Sequence, residues 1–147
     1  MMLYLDTSAL VKRYINETGS ELVNNLFFDA LGIATGMITR AETAAAFAKA
    51  ARLGILDREH AWQALQEFRA EWSDYIRLPV SDATVVKGDQ LAWELNLRGY
   101  DSIHLAIALS WENTLREEVE LVTFDQQLWE AAQKVGLKVS PHSLKTS

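Results

Sequence analysis

The sequence predicts an α/β fold, a three-layer sandwich in which a parallel sheet of about five strands lies between two layers of helices. Three observations point there. Short apolar runs alternate with longer segments whose apolar residues recur at helical spacing, as in strand–helix–strand units with right-handed crossovers. No internal repeat, low-complexity stretch or flexible linker interrupts that alternation. The 147 residues suit one domain spanning 1–147, a length that withdraws roughly 70% of the unfolded surface from water.

Leu3-Tyr4-Leu5 is short and wholly apolar, a buried strand. Thr7 to Ile15 is helical, with Leu10, Val11, Tyr14 and Ile15 on one side, and Gly19-Ser20 restarts a second helix carrying Leu22, Val23, Leu26 and Phe27. Gly32 to Ile38 is the second strand. Thr39 opens an Ala-rich helix that stops near Gly54, and Asp57 caps a long amphipathic helix to about Ser73.

Tyr75 to Val80 is the third strand, closed by Pro79, and Ser81 caps a helix to about Leu97. Arg98-Gly99-Tyr100 reads as a tight turn into the helix Asp101 to about Leu115. Val119 to Phe124 is the fourth strand, Asp125 to Val135 the last helix, and Leu137-Lys138-Val139 a short terminal strand after Gly136. The helical pair from Arg40 and from Asp57 exceeds what a minimal sheet protein needs, and suits a dimer surface or a wall over a site.

Composition narrows the chemistry. A hydrophobic fraction of 49% and a charged fraction of 23% are those of an ordinary globular protein. No apolar stretch approaches the roughly 20 residues that span a bilayer, and the amino terminus does not read as a secretion signal. Cysteine is absent, which excludes disulfides, thiolate-held zinc and thiol chemistry and agrees with a cytoplasmic setting. Any metal would be held by oxygen or histidine. The net charge of −6 disfavours a general nucleic-acid binder, yet clustered acids holding divalent ions would reverse the sign locally.

Asp6, Glu42, Asp101 and Asp125 each stand where an apolar run gives way to a helical pattern. In an open parallel sheet, strand carboxyl ends and helix amino ends meet on one edge, so acids distant in sequence can converge there. Each also has a local explanation. Asp6 and Asp125 can cap helices, Glu42 completes the capping-box pattern Thr39-Arg40-Ala41-Glu42, and Asp101 can complement a helix dipole. Thr7 and Ser8 are expected to cap the first helix, which leaves Asp6 without a structural duty. Four converging carboxylates repel one another unless cations intervene, and magnesium takes such hard oxygen ligands together with substrate phosphates.

Leu3-Tyr4-Leu5-Asp6-Thr7-Ser8-Ala9-Leu10-Val11-Lys12 resembles the opening of PIN-domain ribonucleases, particularly the VapC-type toxins of toxin–antitoxin pairs. Thr39-Arg40-Ala41-Glu42, Tyr100-Asp101-Ser102-Ile103-His104-Leu105-Ala106 and Val122-Thr123-Phe124-Asp125 resemble the family's later acidic elements, so the likeness covers essentially the whole chain. The resemblance implies a sheet order 3-2-1-4-5 and a magnesium- or manganese-dependent endoribonuclease using one or two ions. It implies that Asp6, Glu42, Asp101 and Asp125 are the metal-binding and catalytic acids, with Thr7, Ser8 and Thr123 as supporting hydroxyls. RNA as substrate, a cognate antitoxin and a homodimer are the implied partners.

Other residues are weighed beside these. His104 lies one helical turn beyond Asp101 and can reach a carboxylate or phosphate, although magnesium sites favour oxygen. His60 and His142 read as surface residues. Lys12, Arg13, Arg40, Lys49 and Arg52 are the cations nearest the acidic elements, with Arg40 foremost; a solvated helix face is the plain alternative. Trp62, Phe68 and Trp72 form a core stripe or, by the resemblance, part of a groove for the antitoxin's carboxyl-terminal segment; Trp93, Trp111 and Trp129 are expected in the core.

Two rival readings remain. One is a non-catalytic RNA- or protein-binding module on the same fold. The other is an Asp-dependent phosphatase with Asp6 as nucleophile, disfavoured because Ser8 stands where such enzymes carry a second acid.

Overall fold

The computed structural model of the protein describes residues 1–144. Among these residues the chain runs β1 (Met2–Leu5), α1 (Thr7–Leu10, then a 3-10 turn Val11–Arg13), α2 (Ser20–Asp29), β2 (Gly32–Gly36), α3 (Thr39–Arg52) and α4 (Arg58–Glu71). It continues through β3 (Ile76–Leu78), α5 (Asp82–Leu95), α6 (Gly99–Leu115), β4 (Val119–Val122), α7 (Gln126–Lys134) and β5 (Lys138–Ser140). The five described strands form one parallel sheet in the order 3-2-1-4-5. Helices cover both faces, so the predicted α/β sandwich and its strand order hold.

β1 is the central strand because it is apolar on both sides. Leu3 and Leu5 pack with Val23, Phe47, Phe68 and Trp72 against the α1–α4 layer. Tyr4 points the other way, among Leu91, Leu105, Leu121 and Leu128 of the α5–α7 layer. This alternation follows from the two-residue period of a strand. β1 is in register with β2 (Leu3 opposite Ile33) and with β4 (Leu5 opposite Val122), which aligns the carboxyl ends of the three strands.

β2, β3 and β4 are shorter than the sequence suggests. β3 stops at Leu78 because Pro79 offers no backbone N–H, and β4 stops at Val122, beyond which the Thr123 amide bonds Ser140 across to β5. The expected turn at Arg98-Gly99-Tyr100 is instead the start of α6, with Arg98 as its cap residue. The first helix is one short turn to Leu10 rather than a helix to Ile15. Trp93, expected in the core, is 87% exposed, because α5 buries the line Thr84, Gly88, Leu91 and Trp93 falls on the far side. Trp111 is buried, and the partly buried Trp129 donates its indole N–H to the Pro141 carbonyl at 2.8 Å. Among the described residues no helix is long and apolar enough to cross a membrane.

Candidate functional site

The chain leaves β1 at Asp6, which is 3% exposed, and its two carboxylate oxygens divide their work. Oδ1 accepts the Ala9 amide at 3.0 Å and so caps α1, while Oδ2 accepts the Thr123 hydroxyl at 2.6 Å from beyond β4. The Ser8 hydroxyl lies 2.8 and 3.0 Å from the two oxygens and itself accepts the Phe124 amide at 3.0 Å. Asp6 is therefore the cap, and the expectation that Thr7 and Ser8 would relieve it is overturned. Both hydroxyls are spent on carboxylates, Thr7 on Glu42. Burial pushes the Asp6 proton affinity above the usual carboxylate range, opposed by the neighbouring His104 ring and by the bonds from Thr123, Ser8 and Ala9.

Glu42 does not close a capping box. Thr39 is drawn inward, its hydroxyl 2.7 Å from that of Thr35, and α3 starts without a side-chain cap. That frees Glu42, whose Oε1 accepts the Thr7 hydroxyl at 2.8 Å and lies 2.7 Å from His104 Nε2. Burial would raise the Glu42 carboxyl, but the hydrogen bonds from His104 and Thr7 oppose it, and the carboxyl is held below its usual value. His104 is buried on α6 and engages Tyr4 of β1 through its other nitrogen, at 2.8 Å.

Asp101 and Asp125 share one cation. Arg98 Nε donates to Asp101 Oδ2 at 2.8 Å, and Nη2 donates to Asp125 Oδ2. The remaining Asp125 oxygen, Oδ1, accepts the Leu128 amide at 3.0 Å and caps α7, so Asp125 splits its oxygens as Asp6 does. The Asp125 amide bonds the Thr123 hydroxyl oxygen at 3.1 Å, which links Asp125 to Asp6 through one side chain. Burial raises the Asp101 carboxyl; Arg98 opposes the rise and the Asp125 charge adds to it.

Four of the predicted supporting residues, Thr7, Ser8, Thr123 and His104, thus touch the carboxylates directly, and Asp6 and Asp125 meet through Thr123. Arg40 does not join them. Its exposed guanidinium lies 5.7 Å from the Trp72 ring, while Lys12 pairs with Glu17 and Arg13 with Asn24. His60, read as a lone surface residue, pairs with Asp57 at the start of α4. Sequence reasoning passed over Arg98 and Tyr4. Arg98 carried a signal in its i,i+3 spacing to Asp101, whereas a tyrosine in a buried strand reads as packing.

Whether this set suits a divalent ion turns on its donors and its charge. Among the described residues no three of Asp, Glu, His and Cys lie ready as a cage for one ion. Arg98 already takes one oxygen from each of Asp101 and Asp125. The donor chemistry nevertheless fits a hard cation: the acids offer only oxygen, and two of them have ionisation disfavoured by burial, which an ion would reverse. The Arg98 side chain is 69% exposed and can leave toward solvent without disturbing packing.

Comparisons with known proteins place the chain in a family. A family model described as the PIN domain matches residues 3–135. Ribonuclease VapC45 and Ribonuclease VapC49 of Mycobacterium tuberculosis are each 28% identical over 143 residues, 97% of this chain and 97% of theirs. Among solved structures, PAE2754 from Pyrobaculum aerophilum superposes with a TM-score of 0.68 at 22% identity, over 95% of this chain and 89% of that one. A toxin–antitoxin complex from Klebsiella pneumoniae gives a TM-score of 0.66 at 19% identity, over 98% and 100%. The structural likeness shows a shared fold.

Proposed function

The chain belongs to the PIN domain family, and from that premise we propose that it is a divalent-cation-dependent endoribonuclease, the toxin half of a type II toxin–antitoxin pair. The observation that carries the proposal is the gathering of acids from four separate segments at the carboxyl ends of β1 and β4: Thr123 and Arg98 link Asp6, Asp125 and Asp101, while Glu42 bonds Thr7, next to Asp6, and His104, one turn beyond Asp101. Two relatives spanning nearly the whole chain are named ribonucleases, which supports the same activity.

Asp6, Glu42, Asp101 and Asp125 would hold the magnesium or manganese. When bound, the ion supplies charge neutralisation at the phosphodiester and lowers the proton affinity of water. The chain's own residues hold the acids for that task. Thr123 and Ser8 keep Asp6 facing the strand ends, and Thr7 with His104 orients Glu42. No side-chain nucleophile is required, and hydrolysis by water would leave a 5′-phosphate and a 3′-hydroxyl. Both Asp6 oxygens already accept hydrogen bonds, which speaks against Asp6 as the nucleophile of a phosphatase.

The partner surface is a groove of about 620 Å³ between α3 and α4, lined by Ala44, Phe47, Ala48, Ala51, Trp62 and Leu65. Trp62 is 57% exposed there, too open for the core stripe expected of it. Such an apolar trough suits a segment of an antitoxin, and the protein would act on RNA in the cytoplasm as a homodimer.

Cleavage of total RNA with magnesium, with manganese and in EDTA, by the wild type and by Asp6→Asn and Asp101→Asn, tests the proposal. Chelation should abolish cleavage, and each substitution should reduce it by about 10²–10³-fold, the scale of losing one electrostatic partner of a transition state. Full cleavage in chelator would sink it. RNA retention without cutting under every condition would favour a binding module.

A further inference from the structure

Tyr4 is fully buried on β1, two residues before Asp6, and no part of the proposed chemistry uses it. Its hydroxyl lies 2.8 Å from His104 Nδ1, and the other ring nitrogen, Nε2, lies 2.7 Å from Glu42 Oε1. The two rings meet edge-on, with centroids 5.9 Å apart and planes at 65°. Gly36, at the end of β2, lies against the same hydroxyl oxygen. A Cβ at Gly36 would stand 2.9 Å from that oxygen, closer than real Cβ atoms come, so the residue's bareness makes room for the hydroxyl.

These contacts settle the direction of the hydrogens. A phenol has one proton to give. An ionised Glu42 carboxylate can only accept, so the Nε2 facing it at 2.7 Å carries the proton of an uncharged ring, and Nδ1 is left to accept the Tyr4 hydroxyl's proton. Burial first, then the charges of Asp6 and Glu42, keep the Tyr4 hydroxyl in its protonated, donating form.

We propose that Tyr4, seated against Gly36, is a positioning residue that sets the tautomer and ring orientation of His104 and thereby aims the Glu42 carboxylate at the acidic edge of the sheet. The inference rests on the reading of Glu42 as a site acid. Tyr4 touches neither ion nor RNA and acts through His104. It plays the part of an outer partner that orients a ligand-bearing group, where replacement typically lowers metal affinity by about 10–100-fold.

The experiment combines ring-nitrogen NMR of the metal-free protein with manganese titration. With the His104 ring carrying one proton, the wild type should show Nε2 protonated and Nδ1 as acceptor. Tyr4→Phe keeps the ring packing and deletes only the donor. It should move the Nδ1 resonance toward that of a free acceptor, weaken manganese binding by about tenfold, and lower kcat with KM for RNA unchanged. In a His104→Gln background the same change should add nothing, since both act on one path.

A proton on Nδ1 in the wild type overturns the proposal whatever the variants do. So does a Tyr4→Phe protein with unchanged Nδ1 and wild-type manganese affinity, or losses that add across the pair. If Glu42→Gln binds manganese as tightly as the wild type, the reading of Glu42 itself fails and the proposal with it. That outcome is distinct from a failure confined to Tyr4.

Discussion

Thr123 gives its hydroxyl proton to Asp6 Oδ2 at 2.6 Å and accepts the Asp125 amide on the same oxygen at 3.1 Å. One fully buried side chain thus fixes the spacing of two acids contributed by opposite ends of the chain. Thr123→Val retains the shape and strips both bonds. It should destabilise the fold by about 1–3 kcal/mol, read from urea unfolding, and depress RNA cleavage. A variant as stable and as active as the wild type would contradict the linkage.

Asp6 and Glu42 should answer pH in opposite ways. The Asp6 carboxyl is raised by burial, so its favourable share of stability is complete below its unfolded value of about 3.9 and is lost as pH climbs through the folded one. Asp6→Asn, uncharged throughout, should melt higher than the wild type in EDTA at neutral pH, with the gap narrowing toward acid. Glu42 is held low, so its stabilisation is present above its unfolded value of about 4.3 and fades as pH falls through the folded one. Glu42→Gln should melt lower at neutral pH. Thermal melts across pH 3–8 check both signs, and equal signs would refute the assignment.

Arg98 occupies Oδ2 of Asp101 and Oδ2 of Asp125, so a divalent ion held by those acids would compete with it. Because the guanidinium is 69% exposed, the pair is screened and worth at most about 1 kcal/mol. Arg98→Gln should therefore lower the melting temperature of the metal-free protein slightly. It should also tighten manganese binding by up to about fivefold, the equivalent of that energy. Calorimetric titration reads the change, and weaker binding would show that Arg98 assists the ion.

Trp62 stands half out of the α3–α4 groove, with the Arg69 guanidinium 5.5 Å from its ring. Trp62→Ala should leave cleavage of RNA untouched and relieve inhibition by the product of a neighbouring antitoxin reading frame. A buried aromatic anchor of this kind is worth about 2 kcal/mol or more in a complex. Unchanged inhibition would place the antitoxin elsewhere.

Much of this was legible in the chain itself. The strand order followed from the family resemblance, and the four acids drew notice because each follows an apolar run and a parallel sheet gathers such positions on one edge. What escaped depended on side chains choosing between partners. Glu42 and Thr39 form a capping-box pattern, but Thr35 on the adjoining strand claims the Thr39 hydroxyl, and nothing local in the sequence announces it. Arg98 was hidden by a glycine that suggested a turn where α6 begins, and its reach to Asp125 depends on where α7 docks. Tyr4 looks like any core aromatic until Gly36 and His104 are placed around its hydroxyl. Trp93 followed the rule that large aromatics are buried, and α5 turns that face outward.

The pairing of β1 with β4, which sets Leu5 beside Val122, has a consequence for how the molecule is made. Asp6 and Glu42 emerge early in synthesis, but Asp101 and Asp125 belong to the last third of the polypeptide. Non-local strand pairing of this sort forms late. A nascent chain still threading through the ribosome would hold only half of its acids and lack the strand that completes the edge. The proposed cleavage would therefore await the completed chain, and carboxyl-terminal truncation before Asp101 should yield fragments that do not cut RNA.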